Sequence, residues 1–277
     1  MDKVLSEWKK LSLTDEEGAK LSLTKSKNLR RKEYVIAAKF LTKRALNVDA
    51  NGRTIKPLWR ARNEFKIREV GDHTLLFVFE LEIDAERVLA QEPWSFDKHL
   101  ILLQRYDYSI SAKQLRFTKI TFWVQIHGLP LRLLDPETAI ELGETLGEVL
   151  TNEGEKEMVG ADFVWVRVRI DVSKPLSRGR RVVLDNGTKT WVSFKYKKLT
   201  NFCYWCGMVT HDEKECEKWL AGKGSNCQEQ QEYGAWLQAI PFNLGRSPYT
   251  TVSVMGDGLG GASKQTSGKK NGVEGEI

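Results

Sequence analysis

The sequence has no long apolar run. Nowhere in its 277 residues do about 18 consecutive apolar side chains occur, the length a membrane-spanning helix needs. Residues 1–10 carry charge with no apolar stretch behind it, which excludes a secretory signal peptide there. Cysteine is scarce: four in the chain, three of them between positions 203 and 216. Such crowding argues against a disulfide framework and for metal binding in a reducing compartment, cytosol or nucleus. Phosphate-cradling glycine loops are absent too. Arg178-Gly179-Arg180 is no P-loop, and Gly256, Gly258, Gly260 and Gly261 follow no strand. His127 has no Ser or Cys partner in a recognisable motif, and Glu137, Glu141 and Glu144 read as the solvated face of a helix. The chain is therefore not expected to be an enzyme.

What is present favours a folded chain. Hydrophobic residues make up 41%, with nine Trp and eleven Phe, enough apolar bulk for a core. The net charge of +6 is mildly basic but unevenly spread. Residues 1–32 read as a flexible basic arm ending in Lys25-Ser26-Lys27 and Arg30-Arg31-Lys32, and residues 243–277, rich in Gly, Ser and Lys, as a disordered tail.

Residues 33–110 read as one α+β domain. Tyr34–Leu41 fits a buried strand or a helix, because a short apolar run has no diagnostic period. Asn47–Trp59 reads as a helix, Phe65–Val70 and Thr74–Phe79 as a hairpin turning at Gly71-Asp72, Asp84–Gln91 as a helix and Leu100–Leu103 as a strand. With a strand first, the order is β-α-β-β-α-β. That is the ferredoxin-like, RNA-recognition-like plan, with both helices on one sheet face and the other face open.

Residues 117–200 read as a second α/β unit. Phe122–Ile126 is a strand, and Asp135-Pro136-Glu137 starts a helix that stops near Gly147. In Phe163–Val172, Val164, Val166, Val168 and Ile170 take one face, while Trp165, Arg167 and Arg169 take the other. An antiparallel hairpin follows, with Arg181–Leu184 and Trp191–Tyr196 joined by Asp185-Asn186-Gly187. Glu229–Ile240 reads as an amphipathic helix.

Residues 201–218 contain Cys203, Cys206, His211 and Cys216 in a Cys-x2-Cys-x4-His-x4-Cys pattern. This is the ligand set of one structural Zn²⁺. Four protein donors fill the tetrahedron, no position is left for a reacting water, and metal binding supplies the folding energy of a loop too small for a core. Gly207 permits the tight turn after the second Cys, while Cys227 falls outside the spacing and reads as a free thiol. The pattern resembles the zinc knuckles of retroviral nucleocapsid proteins, which stack unpaired bases on an aromatic platform. Tyr204 holds that family's stacking position, and Trp205 is beside it. The chain departs at Thr210, where a Gly is usual, and in the acidic residues Asp212, Glu213 and Glu215.

Arg167, Arg169, Arg178, Arg180, Arg181, Lys195, Lys197 and Lys198 lead into the knuckle. Basic side chains beside an aromatic knuckle suit a single strand of RNA or DNA, the phosphates held by cations and the bases by rings. Two other readings stay open: a solvated strand face, and a protein-interaction or self-associating module with a structural zinc clip.

Phe40-Leu41-Thr42-Lys43, Leu58-Trp59-Arg60, Glu92–Asp97, Phe122–Pro130, Gly143–Gly147 and the knuckle occur in an order found in a large plant family. Across about residues 30–240 the chain resembles plant retrotransposon-derived proteins with an uncharacterised N-terminal domain before a CCHC knuckle, similar to the gag-like part of non-LTR (LINE-type) elements. The resemblance implies nucleic-acid binding, RNA above all, with zinc held by Cys203, Cys206, His211 and Cys216. No endonuclease or reverse-transcriptase region follows the knuckle, the expectation for a stand-alone or truncated copy.

Overall fold

The computed structural model describes Thr14 and residues 33–151, 162–222 and 231–239, all within the first of two units, Met1–Pro241. The expected basic arm (apart from Thr14), the tail from 243 and Cys227 lie outside the described residues.

Tyr34–Phe40 is a strand, β1. It lies at the centre of its sheet, antiparallel to a neighbour on each side, and Val35, Ile36, Ala37 and Ala38 are all buried. A strand covered on both faces has no polar alternation, so its period could not separate strand from helix. Helix α1, Val48–Trp59, starts where the Asn47 side chain accepts from the Ala50 N–H at 2.9 Å. Strands β2 (Lys66–Gly71) and β3 (Thr74–Phe79) form the hairpin. Its tight turn centres on Asp72 and His73, both left-handed, one residue later than expected. Helix α2 spans Glu82–Ala90. A short strand β4, Trp94–Phe96, which the sequence reading lacked, pairs with β5, His99–Tyr106. The order in space is β2-β3-β1-β5-β4.

Both helices cover one face of this sheet, where Trp59 packs edge-on to Phe77 with centroids 4.6 Å apart. The opposite face is not open, contrary to the expectation. Val35, Ala37, Leu76 and Tyr106 are covered by Ala112, Leu115 and Phe117 of the following link, while Leu100 and Leu102 join the core of the second sheet. Val35, Ala37, Leu76, Val78 and Tyr106 form an apolar patch on that face, beside polar Lys39 and Gln104, and leaving the patch in water would cost more than folding the link across it.

The second sheet is built from β6 (Lys119–His127), β7 (Glu148–Val149), β8 (Phe163–Asp171), β9 (Gly179–Val183) and β10 (Lys189–Tyr196). Its order is β7-β8-β6-β10-β9, with every pairing antiparallel. Helix α3, Pro136–Glu144, begins where the Asp135 carboxylate accepts from the Thr138 N–H at 2.8 Å. It ends three residues before Gly147, at which a Cβ would stand 2.3 Å from the Arg169 carbonyl oxygen; only glycine lets the chain approach β8 so closely. Val164, Val166, Val168 and Ile170 face the core with Phe122, Val124, Ile126 and Phe194, as alternation predicts.

Candidate metal centre and nucleic-acid interface

The loop after β10 brings four donors together. One ligand atom each from Cys203, Cys206, His211 and Cys216 lies within 4.8 Å of the others, and His211 Nε2 stands 3.2 Å from Cys206 Sγ. Zinc bonds of roughly 2.0–2.3 Å at tetrahedral angles need donor separations of this order. The Cys-x2-Cys turn is closed by the Gly207 N–H donating to the Cys203 carbonyl at 2.8 Å and the Cys203 N–H to the Met208 carbonyl at 2.9 Å. Gly207 has φ +73°, and a Cβ there would stand 2.3 Å from the Tyr233 ring. The departure at Thr210 gains a physical account, because its hydroxyl lies 3.3 Å from His211 Nδ1. A hydrogen bond at Nδ1 suits the tautomer whose Nε2 lone pair faces the thiols.

The electrostatics fit a cation. Burial pushes the Cys203 thiol up to about 12 and also raises Cys206. Burial would raise Cys216 as well, but donation from the Trp219 backbone and from the other two thiols outweighs it and lowers that group. A dication among these three crowded thiols would favour the ionised form of each. The donor set fits one structural Zn²⁺.

The knuckle is seated on the second sheet rather than strung beyond it. Phe202 and Val209 are buried in that sheet's core, and Tyr204 packs against the same core. The Leu176 N–H donates to the Gly207 carbonyl at 2.9 Å, and the Tyr233 N–H to the Tyr204 carbonyl at 3.1 Å. The expected helix at Glu229–Ile240 is not formed by residues 231–239, which hold only the short turn Ala235–Leu237. Leu237 is inserted fully into the second core and the Ala239 N–H donates to the Tyr196 carbonyl at 3.0 Å. Extended Gly234 and this insertion outweigh the helical pattern. A salt bridge from Lys43 to Glu215, 3.4 Å, links the knuckle to the first sheet.

The residues expected to touch nucleic acid do not form one patch. Tyr204, half-buried and tilted against Phe202 with centroids 4.9 Å apart, lines a pocket of about 270 Å³ with Asn201, Asp212, Glu213, Lys214 and Gln238. Trp205 has one ring face taken by Trp219, stacked at 4.9 Å over the cysteines. Arg180 and Arg181 are exposed on β9, an edge strand. Lys195 shares a row across the sheet with Gln125 and Trp165, and the Lys197 ammonium lies 5.5 Å from the Trp165 ring centroid. Arg169 pairs with Glu148 at 3.1 Å. Arg178 lies over Tyr233 at 5.3 Å and donates to the Glu232 carbonyl.

Two residues leave the interface. Arg167 is buried, and its guanidinium donates to the Ala90 carbonyl at 2.7 Å and the Leu89 carbonyl at 3.3 Å, closing the C-terminal end of α2. Lys198 donates to the Gln91 carbonyl at 3.1 Å and lies 4.7 Å from the Trp94 ring centroid; burial lowers its pKa. Both cations tie the second sheet to the first. Sequence spacing held no sign of this, since the partners lie 77 and 107 residues away.

Comparison with known proteins finds relatives for two parts of the chain. Residues 170–218 match the zinc knuckle family, and residues 28–114 match a domain of unknown function, DUF4283. An uncharacterized protein of Arabidopsis thaliana is 31% identical over 137 residues, a match spanning 49% of this chain and 43% of that relative. No solved structure matches. The chain thus carries a DUF4283 domain followed by a CCHC-type zinc knuckle whose four ligands stand together in space.

Proposed function

We propose that this chain binds single-stranded nucleic acid, RNA foremost, in the manner of a retrotransposon gag-like protein. The observation that carries the reading is the pocket at Tyr204: an aromatic ring in the stacking position of a Cys3His knuckle, opening on a space of about 270 Å³. Zn²⁺ held by Cys203, Cys206, His211 and Cys216 supplies the fold of the loop and no chemistry. The chain's own side chains do the binding: Tyr204 stacks, Asn201 offers its amide to a base edge, Gln238 offers its oxygen while its amide nitrogen donates to the Leu199 carbonyl, and Lys214 supplies a cation beside Asp212 and Glu213. Arg180, Arg181, Lys195 and Lys197 extend the cationic surface.

The first sheet's strand order, β2-β3-β1-β5 with two helices on one face, supports a ferredoxin-like, RNA-recognition-like plan. Its base-stacking face is not used, because no aromatic of β1 or β3 stands there and the link covers it. In this reading the domain is a scaffold for the second sheet and knuckle.

The test is fluorescence anisotropy of a labelled single-stranded RNA with the zinc-loaded chain. Tyr204→Ala should weaken binding by about 1–3 kcal/mol while zinc content stays stoichiometric. Unchanged affinity removes the stacking role. Absence of RNA binding at low salt favours the protein-interaction reading.

A further inference from the structure

A cleft of about 600 Å³ lies between the two sheets, away from the knuckle. Its walls carry Arg105 from β5, Arg116 and Lys119 before and at the start of β6, and Arg167 and Arg169 from β8. The buried Glu92 also lines it. Some of these cations are matched: Arg105 pairs with Glu86, and Lys119 and Arg169 share Glu148. Two have donors to spare. Arg116 is exposed, with no ion pair among the described residues. Arg167 is 6% exposed, and although its terminal nitrogen serves the α2 carbonyls, its Nε–H is buried without a hydrogen-bond partner. A buried, charged donor left unmatched costs free energy that an acceptor in the cleft would recover. Five cations against three acids, Glu86, Glu92 and the adjoining Glu148, leave the cleft with a positive balance.

We propose that this cleft is a second binding site that takes a phosphate group, gripped by Arg116 at the mouth and by Arg167 within. The ligand chemistry is a phosphate oxyanion, whose acceptors suit guanidinium donors. The single-strand reading bears only on where that phosphate comes from: a backbone phosphodiester or a small phosphate ester. The existence of the site does not depend on it.

Glu92 makes the site sensitive to pH. Burial raises its carboxyl to about 7, against opposing hydrogen bonds from Thr121 and the Leu103 backbone and the charges of Arg167 and Arg169. The other charged groups around the cleft are Glu86 from α2, Arg105 from β5, Arg116, Lys119 from β6, Arg167 and Arg169 from β8, and Glu148 from β7. As pH falls through about 7, Glu92 takes up a proton and the cleft gains positive charge. A phosphodiester keeps its single charge over this range, so its affinity should rise as pH falls.

The test follows the arginine Nε–H resonances of the full zinc-loaded chain by NMR during titration with inorganic phosphate. The Arg167 Nε–H peak should shift saturably. Arg116→Glu, a change at an exposed residue, should keep the thermal midpoint and zinc content and weaken phosphate binding about tenfold. An Arg167 peak unmoved by phosphate overturns the proposal, as does an unchanged affinity in Arg116→Glu. A short single-stranded oligonucleotide that moves the same peak at lower concentration identifies the source as a phosphodiester backbone. Movement with phosphate and mononucleotides alone keeps the site, assigns it to a small phosphate ester, and counts only against the single-strand reading. With dimethyl phosphate as the ligand, a phosphodiester whose charge is constant over this range, Glu92→Gln should hold the affinity near the wild-type low-pH value; a retained pH dependence refutes the part given to Glu92.

Discussion

Glu92→Gln should stabilise the protein above neutral pH, an unusual outcome for a substitution at a buried polar site. Glu92 is 8% exposed, and burial lifts its carboxyl from 4.5 to about 7. The folded state therefore holds a proton that the unfolded chain releases between those values. Stability contributed by this group is complete below about pH 4.5, declines as pH rises, and is gone above about 7. At about 1.36 kcal/mol for each pH unit, the loss is about 3 kcal/mol. Glutamine keeps the size and the carbonyl acceptor for Thr121 but never ionises. At about pH 8 the variant should exceed the wild type by about 2–3 kcal/mol, and at about pH 5 the gap should shrink to about 1 kcal/mol or less. Urea unfolding of the two zinc-loaded chains measures this. The thiolates at the knuckle bring their own pH dependence, but it is common to both chains and cancels in the difference. A gap that stays constant between about pH 5 and 8 would refute the claim that burial governs Glu92.

Three further predictions test the metal centre, the docked segment and the charge. Chelating zinc, or making Cys206→Ser, should lower the thermal midpoint by about 5–15 °C, because Phe202, Tyr204 and Val209 lose their seat when the loop unfolds; a midpoint that ignores chelation would mean that the knuckle folds without metal. Leu237→Ala should cost about 2–5 kcal/mol, the range for a fully buried leucine, whereas a loss under about 1 kcal/mol would show that residues 231–239 are not docked. RNA affinity should fall with salt at a log–log slope of about −2 to −4, as expected for a handful of phosphate contacts on a single strand, and a flat response in an anisotropy titration would point to a protein partner instead.

The metal centre was legible because its four ligands lie in 14 residues and chemistry fixes their spacing. The hairpins were legible for a similar reason: Asn186-Gly187 and the alternating β8 are local signals that no distant contact overrode. The ambiguity and the errors arose where a distant element supplied the environment. By its sequence alone β1 stays open between strand and helix, because β3 and β5 flank it and both its faces are covered. Residues 231–239 carry a helical pattern, yet the gap at the end of the second core takes Leu237 and holds the chain in another conformation. The first sheet's apolar second face was read as open because nothing in β1 or β3 names the residues Ala112, Leu115 and Phe117 that cover it.

The basic residues show most clearly what composition conceals. Arg167 and Arg169 stand two positions apart on one strand face, and as sequence they are equivalent. Arg169 remains at the surface beside Glu148, while Arg167 is drawn under α2 to satisfy carbonyls that a helix end leaves unmatched. Its guanidinium thereby becomes part of the joint between the sheets, and the same burial leaves its Nε–H without an acceptor at the wall of a cationic cleft. Removing Arg167 would expose two bare carbonyls and loosen the sheets, so loss of ligand in such a variant would not separate a binding role from a structural one. Arg116 separates them, because it lines the cleft, is exposed, and makes no ion pair among the described residues. A protein that keeps its midpoint and its zinc but loses phosphate on Arg116→Glu would show that the joint between the two sheets is itself a recognition surface.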